Sequence, residues 1–431
     1  MALHQAFTAD PAREAALQLL DDLLGDAGAS DIALRLWEGT TWRPPHSAGE
    51  PRATLVLKDP GALRAMLEMP SDLLLGEMYI FDDMDVEGDI ESVFPAIDRL
   101  FEHRLGMADR LRCASLLRRL PQSGSARHDT HRTQLHGARH SKQRDGRAVR
   151  HHYDVSNEFF ALWLDRRMMY SCAYFEQASD TLDQAQERKL DYICRKLRLK
   201  EGERLLDIGC GWGGLILHAA KKYGAQALGI TLSKRQAEVA EQRIREEGVG
   251  DHCRVEVCDY RDLDQAESFD KLVSIGMFEH VGENLLPEYF RRAWCLLAPG
   301  GAFLNHGIAR NLHHPDRGPS FIAQYVFPDS ELEPISTVLR TAEDTGWEVR
   351  DLESLREHYA MTLRLWVQRL EQQATKARQV VDEVTYRIWR LYMAGGAHRF
   401  RTGWLNLYQA LLVKPERGNS RLPLTRADWY L

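Results

Sequence analysis

The segment at 207–214 carries the strongest chemical signal in the sequence. It reads Asp-Ile-Gly-Cys-Gly-Trp-Gly-Gly and completes a short apolar run. An apolar run that ends in closely spaced glycines is typical of a buried strand turning sharply into a helix. Gly209 and Gly211 let the backbone approach a ligand, and the last two glycines allow the helix to pack tightly on the sheet. The segment therefore predicts a ligand site at the end of a strand.

The acid beside these glycines indicates which ligand the turn would hold. Asp207 stands two residues before the first glycine, which suits the amino-acid moiety of S-adenosylmethionine better than a pyrophosphate. A dinucleotide site would also have an acid about 20 residues further on, at the end of the second strand. At that place the sequence has Thr231, Ser233 and Gln236. We therefore expect S-adenosylmethionine, with a purely structural turn as the remaining alternative.

The next predicted strand ends at Asp259, which Tyr260 follows. An acid and an aromatic ring at this position would meet the amino group and the face of an adenine. An Asp that caps the following turn is the alternative, and for Asp259 taken by itself the residues favour that alternative.

Further residues able to do chemistry follow other predicted strands or precede the sheet. Glu279 and His306 each come just after a strand-like run, while Tyr170, Ser171 and Cys172 lie upstream of the sheet. Each has an ordinary structural explanation when taken singly: a buried thiol, a core histidine, or an acid at a helix start. Their common position beside the predicted ligand site makes them candidates.

The elements that must position these residues are strands alternating with helical segments from residue 182 onward. The predicted strands are 204–209, 225–231, 254–259, 271–276 and 301–308. Such alternation predicts an α/β fold with a doubly wound parallel sheet, whose ligand site lies at the carboxyl ends of the strands. After residue 310 the sequence becomes helical and rich in aromatic residues, which predicts a lid or an apolar channel.

Composition excludes several classes of protein. The chain has 431 residues, 44% of them hydrophobic and 28% charged, which excludes a single small module and a disordered protein. Fifty-six basic against 63 acidic residues give a net charge of −7, so no global basic field indicates a nucleic-acid binder. Seven cysteines without a paired spacing predict neither a disulfide framework nor a metal site.

The segment 104–150 differs from the rest of the chain in charge. It holds 12 Lys and Arg but 3 acidic residues, a local balance of +9. Its second half has almost no large apolar side chain and is typical of a solvated linker. We therefore expect a small N-terminal domain over 1–120, a basic flexible linker over 121–150 and a catalytic domain over 151–431.

The first half of that segment predicts a basic amphipathic helix. Leu111, Leu116, Leu117 and Leu120 alternate there with four arginines. Two interpretations stay open: such a helix docks on anionic lipid, or it packs on its own domain and leaves its charges in water. The former would make the N-terminal domain a lipid-docking domain.

The start of the chain predicts where the protein works. It has no basic segment followed by an apolar one, and no apolar run reaches the roughly 18 residues that a membrane-spanning helix needs. We therefore expect a cytoplasmic protein, associated peripherally with the inner face of the membrane through the basic helix.

Taken together, these segments resemble the cyclopropane-fatty-acyl-phospholipid synthase family, which is related to the mycolic acid cyclopropane synthases. The resemblance runs from about residue 150 to 415, and before that it rests mainly on the segment 75–90. The motifs that carry it are His152-Tyr153-Asp154, Tyr170-Ser171-Cys172, residues 206–214, 229–233 and 277–282, His358-Tyr359, Thr362-Leu363 and Trp366.

The resemblance implies a Rossmann-like, seven-stranded methyltransferase sheet with a helical lid. It also implies methylene transfer from S-adenosylmethionine to the cis double bond of an acyl chain in a phospholipid, which forms a cyclopropane ring. Dimerisation is a further implication of the family that the residues themselves do not show. The predicted cofactor-binding residues are Tyr170, Ser171, Asp207, Gly209, Gly211, Thr231, Gln236, Asp259 and Tyr260.

A second group matches family positions around a bound bicarbonate ion, which would serve as a general base. There Glu279 and Tyr359 would orient the ion, His306 would donate or accept one hydrogen bond, and Cys172 and Ile308 would contribute backbone amides.

Other functions stay open at this point. The same fold could give a methylene-branched or methyl-branched acyl chain, or methylate a soluble small molecule. A catalytically silent lipid-binding module is a third alternative, although the joint presence of Cys172, Glu279, His306 and Tyr359 argues against it. A nucleic-acid role ranks last, because the basic linker lacks interleaved aromatic residues.

Overall fold

A computed structural model describes residues 10–25, 31–45, 47, 49–68, 71–102, 106–122, 131–132, 135–153, 155–264, 266–313 and 320–427. The side chains of 100–102 and 149–153 lie outside this description, as does Asp154. The side chains of the predicted motif His152-Tyr153-Asp154 and residues 123–130 of the predicted linker therefore lie outside the described part of the chain.

Helices and strands alternate along most of the described chain. In chain order they are α1 (Pro11–Leu24), β1 (Ile32–Arg35), β2 (Thr41–Trp42), β3 (Ala53–Leu57), α2 (Ala62–Glu68), α3 (Asp72–Ile80), β4 (Met84–Gly88), α4 (Phe94–Glu102), α5 (Met107–Leu117), α6 (Lys142–Tyr153), α7 (Asn157–Ala161), α8 (Leu182–Leu197), β5 (Arg204–Ile208), α9 (Gly214–Tyr223), β6 (Gln226–Thr231), α10 (Lys234–Glu246), β7 (Cys253–Val257), β8 (Phe269–Ile275), α11 (Leu286–Leu296), β9 (Leu297–Arg310), α12 (Phe321–Tyr325), α13 (Ile335–Asp344), β10 (Glu348–Ser354), α14 (Arg356–Gln372), α15 (Ala374–Val380), α16 (Glu383–Thr402) and β11 (Leu405–Val413).

The chain divides into two compact units, and the first is built from three separate segments. These are Met1–Arg132, Gly318–Val326 and Asp382–His398. Its four-stranded sheet has the order β2-β1-β3-β4, with β1 and β3 parallel and the other pairs antiparallel. Strand β3 alternates buried and half-buried side chains, the period-two pattern of a strand with one face on a core.

The predicted domain boundaries follow chain order, whereas this unit also takes in two segments that lie far along the sequence. The segment predicted as a flexible linker over 121–150 also differs in part, because helix α6 begins at Lys142. There the Arg144 guanidinium pairs with both carboxylate oxygens of Asp329, and Ala148 is buried. These contacts order a stretch whose composition is typical of a solvated linker.

The second unit holds a seven-stranded sheet in the order β10-β11-β9-β8-β5-β6-β7. Strands β5 to β9 are parallel to one another, and β11 is inserted antiparallel between β9 and β10. All five predicted strands are present, and the predicted α/β class with a Rossmann-like, seven-stranded sheet is confirmed. Strands β10 and β11 were not predicted from the residues: β10 reads EVRDLES, without a long apolar run, whereas β11, which runs antiparallel to the other strands of this sheet, reads LNLYQALLV and has such a run.

Helices cover both faces of this sheet. One core packs Leu206, Leu272, Phe290 and Phe303 together, and the core on the opposite face joins Leu190 of α8 to several strand residues. Helix α8 begins with a complete capping box between Thr181 and Gln184, which satisfies two backbone groups at its first turn. Because β5 to β9 are parallel, their carboxyl ends meet at one edge, where the predicted site residues follow.

Candidate functional site

The turn after β5 has the conformation that its glycines predict. Gly209, Gly211 and Gly213 have φ values of +84°, +56° and +80°, in the left-handed region that favours glycine. The amides of Gly209 and Cys210 both donate to the carbonyl of Ile230 in β6, at 3.0 and 2.9 Å. The turn is therefore fastened to the neighbouring strand, and α9 begins directly after it with the free amides of a helix N-terminus.

A buried acid lies at the end of β5, beside the turn. Asp207 is 3% exposed, and its Oδ1 has no hydrogen-bond partner among the described residues. Burial raises the pKa of its carboxyl to about 7, although the Lys189 ammonium acts in the opposite direction. An acid whose pKa lies near neutrality can be ionised by a small stabilising effect, such as the approach of a cationic ligand group.

Lys189 of α8 is the cation beneath this site. Its side chain is 0% exposed, and its Nζ donates to Ser171 Oγ at 2.9 Å. Burial lowers the pKa of this ammonium to about 8, while Asp165, Cys172 and Asp207 act in the opposite direction. Lys189 thus connects the predicted segment 170–172 with the acid of the glycine turn.

Thr231 and Gln236 form one hydrogen-bonded corner at the end of β6. Thr231 Oγ1 donates to Gln236 Oε1 at 2.8 Å and accepts from the backbone amide of Ser233 at 3.2 Å. Ser233 in turn caps α10, because its hydroxyl accepts from the amide of Gln236 at 3.3 Å. The structure therefore brings both predicted residues to the strand end next to the glycine turn.

Asp259 makes the turn-capping contacts that the sequence left open as an alternative. Its Oδ1 accepts from the backbone amide of Arg261 at 2.9 Å, and its Oδ2 pairs with Nη2 of the same arginine at 2.6 Å. This guanidinium lowers the pKa of the Asp259 carboxyl despite partial burial. Tyr260 is buried with its ring edge-on to Tyr289, at 5.6 Å between centroids. Contact of the two residues with adenine stays a prediction.

Tyr170 lies within a cluster of aromatic rings. Its ring centroid is 5.6 Å from those of Phe160 and Trp163 and 5.3 Å from that of Trp366. Trp212 of the glycine turn joins the same cluster through Phe160, at 5.2 Å. Aromatic faces of this kind can stabilise a positive charge by cation–π attraction.

Glu279 lies in a one-turn 3-10 helix after β8, close to β9. Its Oε1 accepts from the backbone amide of Ile308 at 2.8 Å, while Oε2 is buried without a hydrogen-bond partner in the described part of the chain. Burial raises the pKa of this carboxyl to about 7. The residue before Glu279 packs closely on β9, since the ring of Phe278 lies so near Gly307 that a Cβ there would be 2.1 Å from it.

This hydrogen bond changes the role predicted for Ile308. The resemblance implies that its backbone amide contacts a bound ion, but the structure gives that amide to Glu279. A backbone N–H has one hydrogen to donate, so a good bond to the carboxylate leaves none for a second acceptor. The amide of Ile308 therefore orients Glu279.

His306 points its two ring nitrogens at different surroundings. Its Nδ1 lies 3.1 Å from Nε2 of Gln409, and its Nε2 is buried without a hydrogen-bond partner among the residues described. Burial lowers the pKa of the imidazole well below its usual range, and the ammonium groups of Lys189 and Lys196 lower it further. The ring is therefore neutral at physiological pH.

Cys172 and Tyr359 meet at the carbonyl of Leu355. The Cys172 thiol lies 3.8 Å from this carbonyl, and the backbone amide of Tyr359 donates to it at 3.1 Å. The amide of Leu355 itself donates to Leu407, which lies opposite Ile308 in the sheet. The structure thus connects the residues predicted around an ion to one another through a few backbone bonds.

The Cys172 thiol is unsuited to nucleophilic attack. Its side chain is fully buried, and burial raises the pKa of the thiol. The neighbouring backbone is held by α14, since Thr362 Oγ1 accepts from the amide of Ala173 at 3.0 Å and His358 Nδ1 accepts from that of Phe175 at 3.0 Å. These bonds explain why the segments around 172 and 358–362 occur together in the resemblance.

Sequence reasoning missed three polar residues that contact the candidate site directly or through one intervening side chain. These are Lys189, Lys196 and Gln409, all of them buried. A signal was present for the lysines, because both lie on the face of α8 that carries Leu182, Ile193 and the other buried residues. A polar residue on the buried stripe of an amphipathic helix indicates a specific partner in the core.

Comparison with known proteins places the chain in a family. A family model described as Mycolic acid cyclopropane synthetase matches residues 140–410. The chain belongs to this family. A Pseudomonas putida protein named "Probable fatty acid methyltransferase" is 43% identical over 406 residues, which covers 93% of this chain and 96% of the relative.

Two solved structures of the family resemble part of this chain. The cyclopropane synthase MmaA2 from Mycobacterium tuberculosis is 34% identical with a TM-score of 0.60, over 62% of this chain and 97% of that one. The mycolic acid cyclopropane synthase CmaA1, solved in complex with SAH and CTAB, is 36% identical with a TM-score of 0.59 over the same shares. Membership confirms the predicted family and the predicted enzyme class, an S-adenosylmethionine-dependent C-methyltransferase.

Proposed function

We propose that this enzyme transfers a methylene group from S-adenosylmethionine to the cis double bond of an unsaturated acyl chain in a phospholipid. The product is a cyclopropane ring on that chain. One observation carries the proposal: the buried Oε2 of Glu279 and Nε2 of His306 both lack partners among the described residues, at the edge of the sheet where the glycine turn lies. The names of the relatives support an acyl substrate, since they include a fatty acid methyltransferase and cyclopropane synthases.

The residues around the glycine turn fit the donor molecule. Gly209 and Gly211 leave room for the amino-acid moiety, and Asp207 supplies a buried carboxylate for its ammonium group. Thr231 ends β6 and Gln236 lies in the first turn of α10, where the ribose would lie. Tyr170, Ser171, Asp259 and Tyr260 complete the set of predicted cofactor-binding residues.

The chemistry needs positioning more than it needs a protein nucleophile. The π electrons of the alkene form a bond to the sulfonium methyl carbon while the carbon–sulfur bond breaks, releasing S-adenosylhomocysteine and leaving a carbocation on the chain. Loss of a proton from the new methyl group then provides the electrons that close the ring. The rings of Tyr170 and Trp366 can stabilise the cation until the proton leaves.

The protein groups also fit a bicarbonate ion. With a carboxyl pKa of about 7, Glu279 can present either a proton or a lone pair at its unpartnered Oε2. His306 adds a ring nitrogen. Tyr359 and Cys172 both contact the carbonyl of Leu355, Tyr359 through its backbone amide and Cys172 through its thiol. Bound there, the ion would supply a base at the site, and Ile308 would hold Glu279 toward it.

A methyl-branched or methylene-branched acyl chain is the second candidate product. The name of the Pseudomonas putida relative favours it, since that protein is called a fatty acid methyltransferase. A methylene branch needs only the loss of a different proton, whereas a methyl branch also needs two hydrogens from a reductant. The two candidates share the donor, the carbocation and the site.

Mass analysis of the acyl chains tests the proposed function. The protein is incubated with donor labelled in its methyl group and with vesicles of unsaturated phospholipid. A gain of one CH2 that carries the label identifies a ring or a methylene branch, and two further hydrogens identify a methyl branch. Fragmentation then separates ring from branch. Label that appears only on a soluble acceptor, with no dependence on vesicles, would contradict the proposal.

Helix α5 supports an anionic membrane surface as the partner. Met107 and Leu111 are 80% and 70% exposed, one turn apart on the helix, while Cys113, Leu116 and Leu120 are buried. One face of the helix thus packs within its own unit, and the other presents apolar side chains among exposed arginines.

Among the helices that the structure describes, none has the length and apolarity needed to cross a bilayer. We propose peripheral docking through this face at the cytoplasmic surface; a homodimer stays a prediction.

Replacing Arg112, Arg118 and Arg119 by Gln should weaken binding to anionic vesicles by up to about a hundredfold. Each basic residue near such a surface contributes about 1 kcal/mol, and the effect shrinks as salt rises. Co-sedimentation with phosphatidylglycerol vesicles measures the change. The control changes Lys221, Arg245 and Arg254 to Gln, which removes the same charge from exposed positions of the second unit. Equal binding by both variants would remove α5 from the docking surface.

A further inference from the structure

A chain of buried polar contacts connects Lys196 of α8 to His306 on one face of the sheet. Lys196 of α8 is 1% exposed, and its Nζ donates to Gln409 Oε1 at 3.0 Å. The same ammonium pairs with Glu353 and lies 3.6 Å from Asp351. Gln409 lies directly opposite His306 in the antiparallel pair of β11 and β9, so the two side chains share one face of the sheet.

The lysine decides which way the Gln409 amide points. An ammonium group has hydrogens to donate and no lone pair to accept, so the atom of Gln409 that faces Lys196 must be its oxygen. With the oxygen at Lys196, the NH2 group faces His306 Nδ1 at 3.1 Å. The reverse amide orientation would set the NH2 group against the ammonium.

The amide in turn decides which imidazole nitrogen carries the proton. An NH2 group can only donate, so His306 Nδ1 must accept and cannot itself be protonated. A neutral imidazole with a bare Nδ1 has its single hydrogen on Nε2. That Nε2 is the buried atom that has no hydrogen-bond partner within the described chain.

We propose that Lys196 and Gln409 are positioning residues that hold His306 as the Nε2–H tautomer, so that His306 donates a hydrogen bond to an oxyanion in the site. The sequence left open whether His306 donates or accepts, and this network selects donation. The inference rests on the proposed function for the identity of the oxyanion, a bicarbonate, whereas the tautomer itself does not depend on it. The orientation of a ring by a partner on its other nitrogen is also how metal-binding histidines are held.

Nitrogen NMR of the full-length protein tests the tautomer directly. Histidine labelled with 15N is incorporated, and the His306 signals among those of 17 histidines are assigned as the ones missing from His306→Asn. At neutral pH we expect a bare, pyridine-type Nδ1 and a protonated, pyrrole-type Nε2. The opposite pattern, or a doubly protonated ring, would overturn the inference.

Gln409→Glu reverses the donor and acceptor roles at nearly constant shape. A carboxylate accepts from Lys196 on one side and, on the other, from a protonated His306 Nδ1, so the proton should move from Nε2 to Nδ1. We expect the two nitrogen signals to exchange character and kcat to fall by about ten- to a hundredfold, as for loss of comparable orienting partners. S-adenosylhomocysteine affinity should stay unchanged. An unchanged nitrogen pattern in this folded variant would contradict the assigned role of Gln409.

A second variant keeps the test decisive if Gln409→Glu does not fold. Lys196→Met removes the ammonium that orients the amide, so both nitrogens should show averaged, intermediate signals. Lys200→Met, at an exposed position just after α8, is the control and should keep the wild-type pattern. A wild-type pattern in Lys196→Met would show that the lysine does not set the tautomer.

Titration of wild-type protein with sodium bicarbonate separates the two proposals. A shift of the His306 Nε2 signal that Gln409→Glu abolishes supports donation to the ion. If the wild-type tautomer is as expected but acyl chains are never modified, the positioning network stands and the proposed function fails. If acyl chains are modified while Nδ1 is protonated, the function stands and the positioning network fails.

Discussion

Glu279→Gln is expected to lower turnover by about a hundred- to ten-thousandfold, the range of a lost acid–base group. The amide keeps the shape of the side chain and can still accept from the backbone amide of Ile308 through its oxygen. It cannot take up or release a proton, whereas the Glu279 carboxyl, with its pKa of about 7, can do both. Turnover on unsaturated phospholipid vesicles measures the loss, and titration with S-adenosylhomocysteine should show unchanged affinity.

The same variant should be more stable than the wild type above neutral pH. Burial raises the folded-state pKa of Glu279 to about 7, above the value near 4.5 of an exposed carboxyl. Between these two pKa values the folded state binds one more proton than the unfolded state. The stability that the protonated Glu279 carboxyl contributes is therefore fully present below about pH 4.5 and is lost as the pH rises through 7. Gln has no such loss. Denaturant unfolding at pH 8 should show a gain on the order of 2–3 kcal/mol.

Glu283→Gln provides the matched control for both measurements. Glu283 is exposed and lies four residues further along the same loop. We expect its substitution to leave turnover and the pH dependence of unfolding as in the wild type. Full activity of Glu279→Gln would refute a proton-handling role, and an unchanged stability profile would contradict the burial of an ionisable carboxyl there.

Asp207→Asn is expected to weaken S-adenosylhomocysteine binding by about ten- to a hundredfold at pH 7.5. The reason is the loss of a charge-assisted hydrogen bond to the ammonium group of the ligand, which contributes about 1.5–3 kcal/mol. The side chain is buried and its Oδ1 has no partner in the described residues, so no other protein group is placed to compensate. Isothermal titration calorimetry measures the affinity.

The pH dependence of binding gives this prediction its sign. Because the free carboxyl has a pKa of about 7, it is mostly protonated at pH 5.5 and mostly ionised at pH 7.5. Wild-type affinity should therefore rise over this range, by up to about tenfold per pH unit below the pKa. The Asn variant should bind weakly at both values, with little change between them. The pH range from 5.5 to 7.5 lies below the pKa of about 8 of the Lys189 ammonium, so the change in affinity reports on Asp207 and not on Lys189.

Asp270→Asn is the control for the aspartate prediction. Asp270 lies at the amino end of β8 and pairs with Arg204 at the amino end of β5, whereas the glycine turn follows the carboxyl end of β5. The Arg204 guanidinium lowers the pKa of the Asp270 carboxyl. It stays ionised throughout the range, so its substitution should leave both affinity and pH dependence intact. A flat wild-type profile would show that the Asp207 carboxyl does not pair with the ligand.

Residue order alone was sufficient to predict the parallel part of the sheet and the glycine turn. Strands β5 to β9 have short apolar or alternating runs bounded by turn residues, and the bends at Gly209 and Gly211 require a conformation that favours glycine. Such signals are local, so they can be recognised without knowledge of the rest of the fold. Strand β10, at the edge of the sheet, lacks a comparable signal and was not predicted.

Two further features depend on residues far apart in the chain. The first compact unit recruits 318–326 and 382–398, which no local composition marks as belonging with residues 1–132. Asp259 has the same sequence signal whether it caps a turn or meets a ligand, and its contacts with Arg261 became visible only in three dimensions. Local patterns predict elements, whereas the grouping of elements follows from packing between distant segments.

The sequence by itself determined the α/β sheet, the glycine turn and most of the residue types at the candidate site. Tertiary structure decided what those residues can do: that the Ile308 amide holds Glu279, that Lys189 lies buried beside Asp207, and that Lys196 orients Gln409 toward His306. The physical reason is that burial and hydrogen-bond direction set protonation, and both depend on neighbours that lie up to 213 residues away in the chain.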